Sequence, residues 1–122
     1  MGMIRLKDGR LFTAGDGSRL REILNPKKIR QFKIPYSLAW ALIHPGQKTA
    51  PHMLKYSEVY FILRGRGKMH INREKTMVKA RDTVYIPPRS IQHIENVGRS
   101  DLEFLCIVSP AWEPSCEKII RK

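Results

Sequence analysis

The sequence is poor in the residue types that mark several large functional classes. Only two of its 122 residues are cysteine, Cys106 and Cys116, and no CxxC pair occurs. That excludes a zinc ribbon and a thioredoxin-like dithiol. Cys106 follows Phe104-Leu105 in an apolar run and reads as a buried thiol, while Cys116 lies among charged residues. Nothing in the sequence supports a disulfide between them. Apolar runs reach only a few residues, too short for a membrane span. The stretch Met1-Gly2-Met3-Ile4-Arg5 has no apolar segment of the secretory kind. A cytoplasmic location is therefore expected. Aromatic residues make up 8%, without the aromatic stacking signatures of RNA-binding sheets. There is no Gly-x-Ser-x-Gly elbow, no P-loop and no dinucleotide fingerprint. Internal repeats, low-complexity tracts and linkers are absent as well.

Acidic residues are also scarce, 11 against 23 lysines and arginines, for a net charge of +12. The excess lies in two blocks of +6 each, residues 1–34 and residues 64–81. A basic excess of this kind fits nucleic acid, an anionic ligand or a solvated surface. The solvated surface is favoured, and the neutral middle of the chain is expected to hold any pocket. The length is that of one domain, which buries roughly two-thirds of its unfolded surface. A hydrophobic content of 42% is too high for a disordered chain.

The local pattern is strand and turn. Leu38 to Ile43 is an apolar run closed by Pro45-Gly46, and Glu58 to Leu63 is closed by Gly65 and Gly67. Lys68 to Asn72 and Thr76 to Lys79 alternate, and Thr83 to Ile86 stops at Pro87-Pro88. Gln92 to Asn96 precedes Gly98, and Leu102 to Val108 precedes Pro110. Strands spaced about ten residues apart, with turn signals between them, predict an all-β sandwich or barrel. Ser18 to Leu24 has helical spacing but is short, and in this context a strand is expected.

Within that pattern, Gly46, His52, Glu58 and Gly65 carry the chemistry. A histidine and a glutamate on neighbouring strands can point at one interior spot, and both suit a transition metal. Here the sequence resembles the cupins. Their first motif, G-x5-H-x-H-x3–4-E-x6-G, is matched at Gly46, His52, Glu58 and Gly65, with Leu54 in place of the second histidine. Their second, G-x5-P-x-G-x2-H-x3-N, is matched at Pro87 and Asn96, with Arg81 and Arg89 in place of its glycines. An ungapped count puts Gln92 on its ligand position, and strand alternation puts Gln92 on the face of Ile94. His93 takes that position only if the strand slips by one residue.

The resemblance implies a double-stranded β-helix, or jelly-roll, barrel. One domain over residues 1–122 would have its core at about 34–110, an N-terminal arm at 1–33 and a C-terminal tail at 111–122. The stretch Phe104 to Trp112 is similar to small cupins described as mannose-6-phosphate isomerase-like, a likeness of fold rather than of reaction. The metal set implied is His52, Glu58 and Gln92, with Tyr60 able to add a phenol oxygen. The alternative is a metal-free pocket in which Glu58 bonds to His52 or Gln92. His44 reads as a turn residue and His70 as either solvent-facing or a rim residue. Trp40, Tyr60, Met69 and Phe104 are core or pocket residues.

Three functions compete. One is a cupin enzyme of sugar metabolism, holding a divalent metal or using Glu58 and His52 as acid and base, with Gln92 and Tyr60 orienting the ligand. Another is a non-catalytic, metal-free small-molecule binder. The least favoured is a nucleic-acid-binding protein. Resemblance also implies a homodimer, and no membrane association is expected.

Overall fold

A computed structural model describes residues 2–120. Eleven strands form two antiparallel sheets. The strands are β1 (Leu11–Thr13), β2 (Arg19–Leu24), β3 (Ser37–Ile43), β4 (His52–Leu54), β5 (Ser57–Arg64), β6 (Arg66–Ile71), β7 (Glu74–Lys79), β8 (Thr83–Ile86), β9 (Ile91–Asn96), β10 (Leu102–Ser109) and β11 (Glu117–Ile119). One sheet runs β1-β2-β3-β10-β5-β8 and the other β11-β4-β9-β6-β7. The all-β expectation and the jelly-roll barrel are what the structure shows. Residues 19–24 form a strand, paired with both β1 and β3. No helix among the described residues is long and apolar enough to cross a membrane.

Period-two alternation decides which side chains go inside. In β5, Glu58, Tyr60 and Ile62 are buried; in β9, Gln92, Ile94 and Asn96; in β10, Leu102, Phe104, Cys106 and Val108. The two sheets close over one cluster that includes Ile43, Tyr60, Ile62, Met69, Ile86, Ile94 and Phe104. Met69 is plain core, whereas Trp40 lies on the outer side of β3, its indole N–H donating to Glu103. Cys106 and Cys116 are both buried and free, in separate clusters.

The motif residues outside the pocket hold turns. Gly65, between β5 and β6, has φ +92°, and a Cβ there would come within 2.5 Å of the Asp101 carbonyl oxygen. Only glycine fits so close an approach in that conformation. Asn96 donates to the carbonyls of Ile43 and Ser100 and accepts from Gly98 N–H, each at 2.9 Å. Its amide thereby ties the end of β3 to the β9–β10 turn. The motif asparagine is satisfied structurally and is not aimed at a ligand.

Candidate functional site

Five motif residues point into the barrel because each sits in phase with its strand's buried face. They are His52 and Leu54 of β4, Glu58 and Tyr60 of β5, and Gln92 of β9. His52 and Gln92 are cross-strand partners in one sheet, while Glu58 and Tyr60 belong to the other. Gln92 bridges the two sheets. Its amide N–H donates to Glu58 Oε1 at 2.9 Å, and its carbonyl oxygen accepts from the Tyr60 hydroxyl at 3.0 Å. The result is a buried chain, Tyr60 to Gln92 to Glu58, with both functions of the Gln92 amide in use.

Beside this chain lies a cavity of about 360 Å³. Glu58, Tyr60, His52 and Leu54 line it, together with Ala39, Ala41 and Phe104. Gln92 does not reach it and stands behind Glu58 and Tyr60, 1% exposed. The arm and the tail complete the wall. Phe12, Asp16, Leu20, Glu22 and Lys28 come from one, and Trp112, Pro114 and Glu117 from the other. The neutral middle of the chain therefore does not hold the pocket alone, because the basic N-terminal block adds to its wall. Its acidic members, Asp16 and Glu22, face the cavity, and Lys28 pairs with Glu22 at 2.7 Å. Asn25 donates to the Trp112 carbonyl and Lys27 pairs with Glu113, so arm and tail lock together over the mouth.

His52 Nδ1–H donates to the Ala50 carbonyl at 2.8 Å, which orients the ring. Its Nε2 then faces Asp16 Oδ2 at 3.7 Å, a carboxylate whose other oxygen accepts from Ser18. No motif spacing connects Asp16 to His52; the Asp16-Gly17-Ser18 turn is its only local mark. Glu117 accepts from the Trp112 indole at 2.9 Å. Burial is the main cause that raises the Glu58 carboxyl to about 8, with the charges of Glu117 and Asp16 adding and the Gln92 hydrogen bond opposing. Burial, then the Glu58 charge, likewise lifts the Tyr60 phenol well above its ordinary range. Near neutral pH, Glu58 is therefore a neutral carboxylic acid on the cavity wall.

The donor set does not fit the metal that the resemblance implies. Leu54 has no donor atom, and the Gln92 oxygen is engaged by Tyr60 while its NH2 faces Glu58. In this geometry Gln92 holds Glu58 and Tyr60 in place. His52 and Glu58 remain, fewer than a transition-metal site needs. His93 is not a substitute, since it lies on the outer face of β9, its ring stacked on His70 with centroids 4.0 Å apart. His44 sits after β3 and meets Asp101 at 2.9 Å.

The comparisons with known proteins agree with this fold. A relative in Methanocaldococcus jannaschii, itself uncharacterised, is 42% identical over 106 residues, covering 86% of this chain and 83% of that protein. An oxalate-binding protein of Thermotoga maritima is 39% identical over 65 residues, 52% of this chain and 54% of that one. The solved structure of a cupin 2 conserved barrel domain protein from Salinispora arenicola superposes with a TM-score of 0.77 at 18% identity, covering 95% of this chain and 92% of that one. The cupin domain family model matches residues 39–108, more than half of the chain and all of the strands that frame the cavity except those of arm, tail and mouth. The chain belongs to the cupin family.

Proposed function

We propose that this cupin binds a small organic molecule in its barrel without a barrel metal. The cavity takes a ligand with an apolar body and one polar end. The body lies along Leu20, Ala39, Ala41, Phe104 and Trp112, and the polar end meets Glu58, His52 and Asp16. The observation that carries this reading is the buried Tyr60–Gln92–Glu58 chain, which occupies the Gln92 amide, beside an otherwise mainly apolar cavity. A preformed apolar pocket with a few fixed polar groups is the usual form of a small-molecule site.

The charge of the wall narrows the ligand class. Asp16, Glu22 and Glu117 line the cavity beside the neutral Glu58, and Lys28 is its single lysine or arginine, already paired with Glu22. A phosphorylated sugar or an oxalate dianion would find little positive charge there. A neutral or cationic ligand is therefore proposed, in preference to the sugar-metabolism enzyme. Calorimetry and thermal-shift assays with oxalate, mannose 6-phosphate and a panel of small amphipathic alcohols, ketones and amines test the choice. Binding by panel members, weakened about tenfold or more in Glu58→Gln and His52→Ala, is expected. Oxalate binding that requires added manganese would overturn it. A protonated carboxyl in a cavity also suits general acid catalysis. Steady turnover lost in Glu58→Gln would assign that role.

We also propose that the protein is a homodimer and cytoplasmic. Two free, buried cysteines support a reducing compartment. The apolar outer face of the six-stranded sheet supports the dimer.

A further inference from the structure

The outer face of the five-stranded sheet carries His70, His93 and Glu95. The antiparallel register puts His70 directly across from His93, and Glu95 lies two residues along β9 on the same face. One donor atom from each of the three falls within 4.8 Å of the others, the only such group of His, Cys, Asp and Glu donors among the described residues. The side chains are half-buried, so their positions are set by the strands that carry them.

From this juxtaposition we infer that His70, His93 and Glu95 form a binding site for a borderline-soft divalent cation such as zinc, nickel or copper. His70 Nε2 and Glu95 Oε2 are 2.8 Å apart and share a hydrogen-bonded proton. An ion entering between them displaces that proton. Donors around a tetrahedral zinc stand about 3.3 Å apart, given bonds of about 2.0–2.1 Å, so this edge opens by about half an ångström. The His70 and His93 rings are stacked 12° from parallel with centroids 4.0 Å apart, so one ion comes to lie in both ring planes only when one ring turns. Turning one ring about its terminal torsion brings its nitrogen to the ion, a soft motion for an imidazole. The coordination positions left over face solvent.

The surroundings select the kind of ion. Lys68 is opposite Glu95, Lys75 is opposite His70, and Lys48 bridges to Glu95. Their positive charge opposes ions held by charge alone, such as magnesium or calcium. It is outweighed only where imidazole forms strong directional bonds, as it does with zinc, nickel and copper.

Calorimetric titration of tag-free, full-length protein with zinc chloride, and the visible spectrum of the protein with cobalt(II), test the site. The expected result is one ion per chain, with cobalt d–d bands of tetrahedral type. His93→Ala and the conservative Glu95→Gln should each weaken binding about tenfold or more. His44→Ala, at an exposed pair elsewhere, should leave it unchanged. Far-ultraviolet circular dichroism establishes that each variant is folded. Failure to take up either ion at millimolar concentration would overturn the inference, as would binding unaffected by His93→Ala and Glu95→Gln. Binding abolished by His52→Ala instead would place the ion in the barrel, overturning both this site and the metal-free reading of the cavity.

Discussion

Glu58 is held between the two sheets, out of water, with a single hydrogen bond from Gln92 to its Oε1. Its carboxyl titrates near 8 when folded, against an ordinary value of 4.5. Between those values the folded protein keeps a proton that the unfolded chain has released. Stability from this group is therefore full below about pH 4.5 and is lost as pH rises toward about 8. The loss is on the order of 4 kcal/mol. Glu58→Gln removes the titrating group and keeps an amide that can pair with Gln92. Urea denaturation should show wild-type stability falling between pH 5 and 8 relative to the variant, whose own curve lacks this component. Parallel curves for the two proteins would show that Glu58 is not buried as a neutral acid. That Gln92 rather than His93 turns inward was legible in the sequence, because an ungapped count and period-two alternation agree. Of its partners, Glu58 was one of the alternatives left open by the sequence, and Tyr60 was not among them. Tyr60 and Glu58 lie 32 and 34 residues away on the other sheet. Only the closure of the barrel brings them to it.

Strands with strict alternation, β5, β9 and β10, were legible because each buries one face completely. The three-residue β1 and β11 were not, since three residues cannot display a period and their pairing depends on where arm and tail return. The turns retain a trace of what the motif lost. Arg81 and Arg89 stand where the second cupin motif has glycine, and both keep the left-handed backbone, at φ +77° and +62°. The main chain still requires it: Arg81 N–H donates to the Ile62 carbonyl and Arg89 N–H to the Leu54 carbonyl, each at 2.7 Å. A non-glycine residue in this region is strained by roughly 1–2 kcal/mol, partly offset by the smaller chain entropy it loses on folding. Arg81→Gly and Arg89→Gly should each stabilise the fold by up to about 1 kcal/mol, seen as a higher denaturation midpoint at unchanged slope. A lower midpoint in both would mean that the arginine side chains hold contacts worth more than the strain.

At the scale of the whole molecule, the barrel motifs supplied His52, Glu58 and Tyr60, while half of the cavity's polar wall came from segments without a motif. Asp16, Glu22, Lys28 and Glu117 lie outside residues 34–110. Local sequence cannot show that two ends of a chain meet over a barrel mouth. The outward faces of the barrel raise the remaining question. On the six-stranded sheet, Trp40, Leu105 and Phe61 form one lateral row, and Leu38, Ile107, Val59 and Tyr85 form a second across four strands. Each of these residues alternates with a buried one and so points away from the core. Tyr85 is 58% exposed. A continuous apolar face of this kind is uncommon on a monomer, and a face of one copy can meet the same face of another about a twofold axis. A stable interface buries about 800 Å² per partner. Light scattering coupled to size exclusion should give twice the chain mass. Leu105→Arg, at the centre of the first row, should give the monomer mass with the circular dichroism of the wild type, because the added charge would be buried without a partner only in the dimer. A wild-type monomer at micromolar concentration would exclude the pairing. A dimer that survives Leu105→Arg would move it to another face, such as that of His70 and His93.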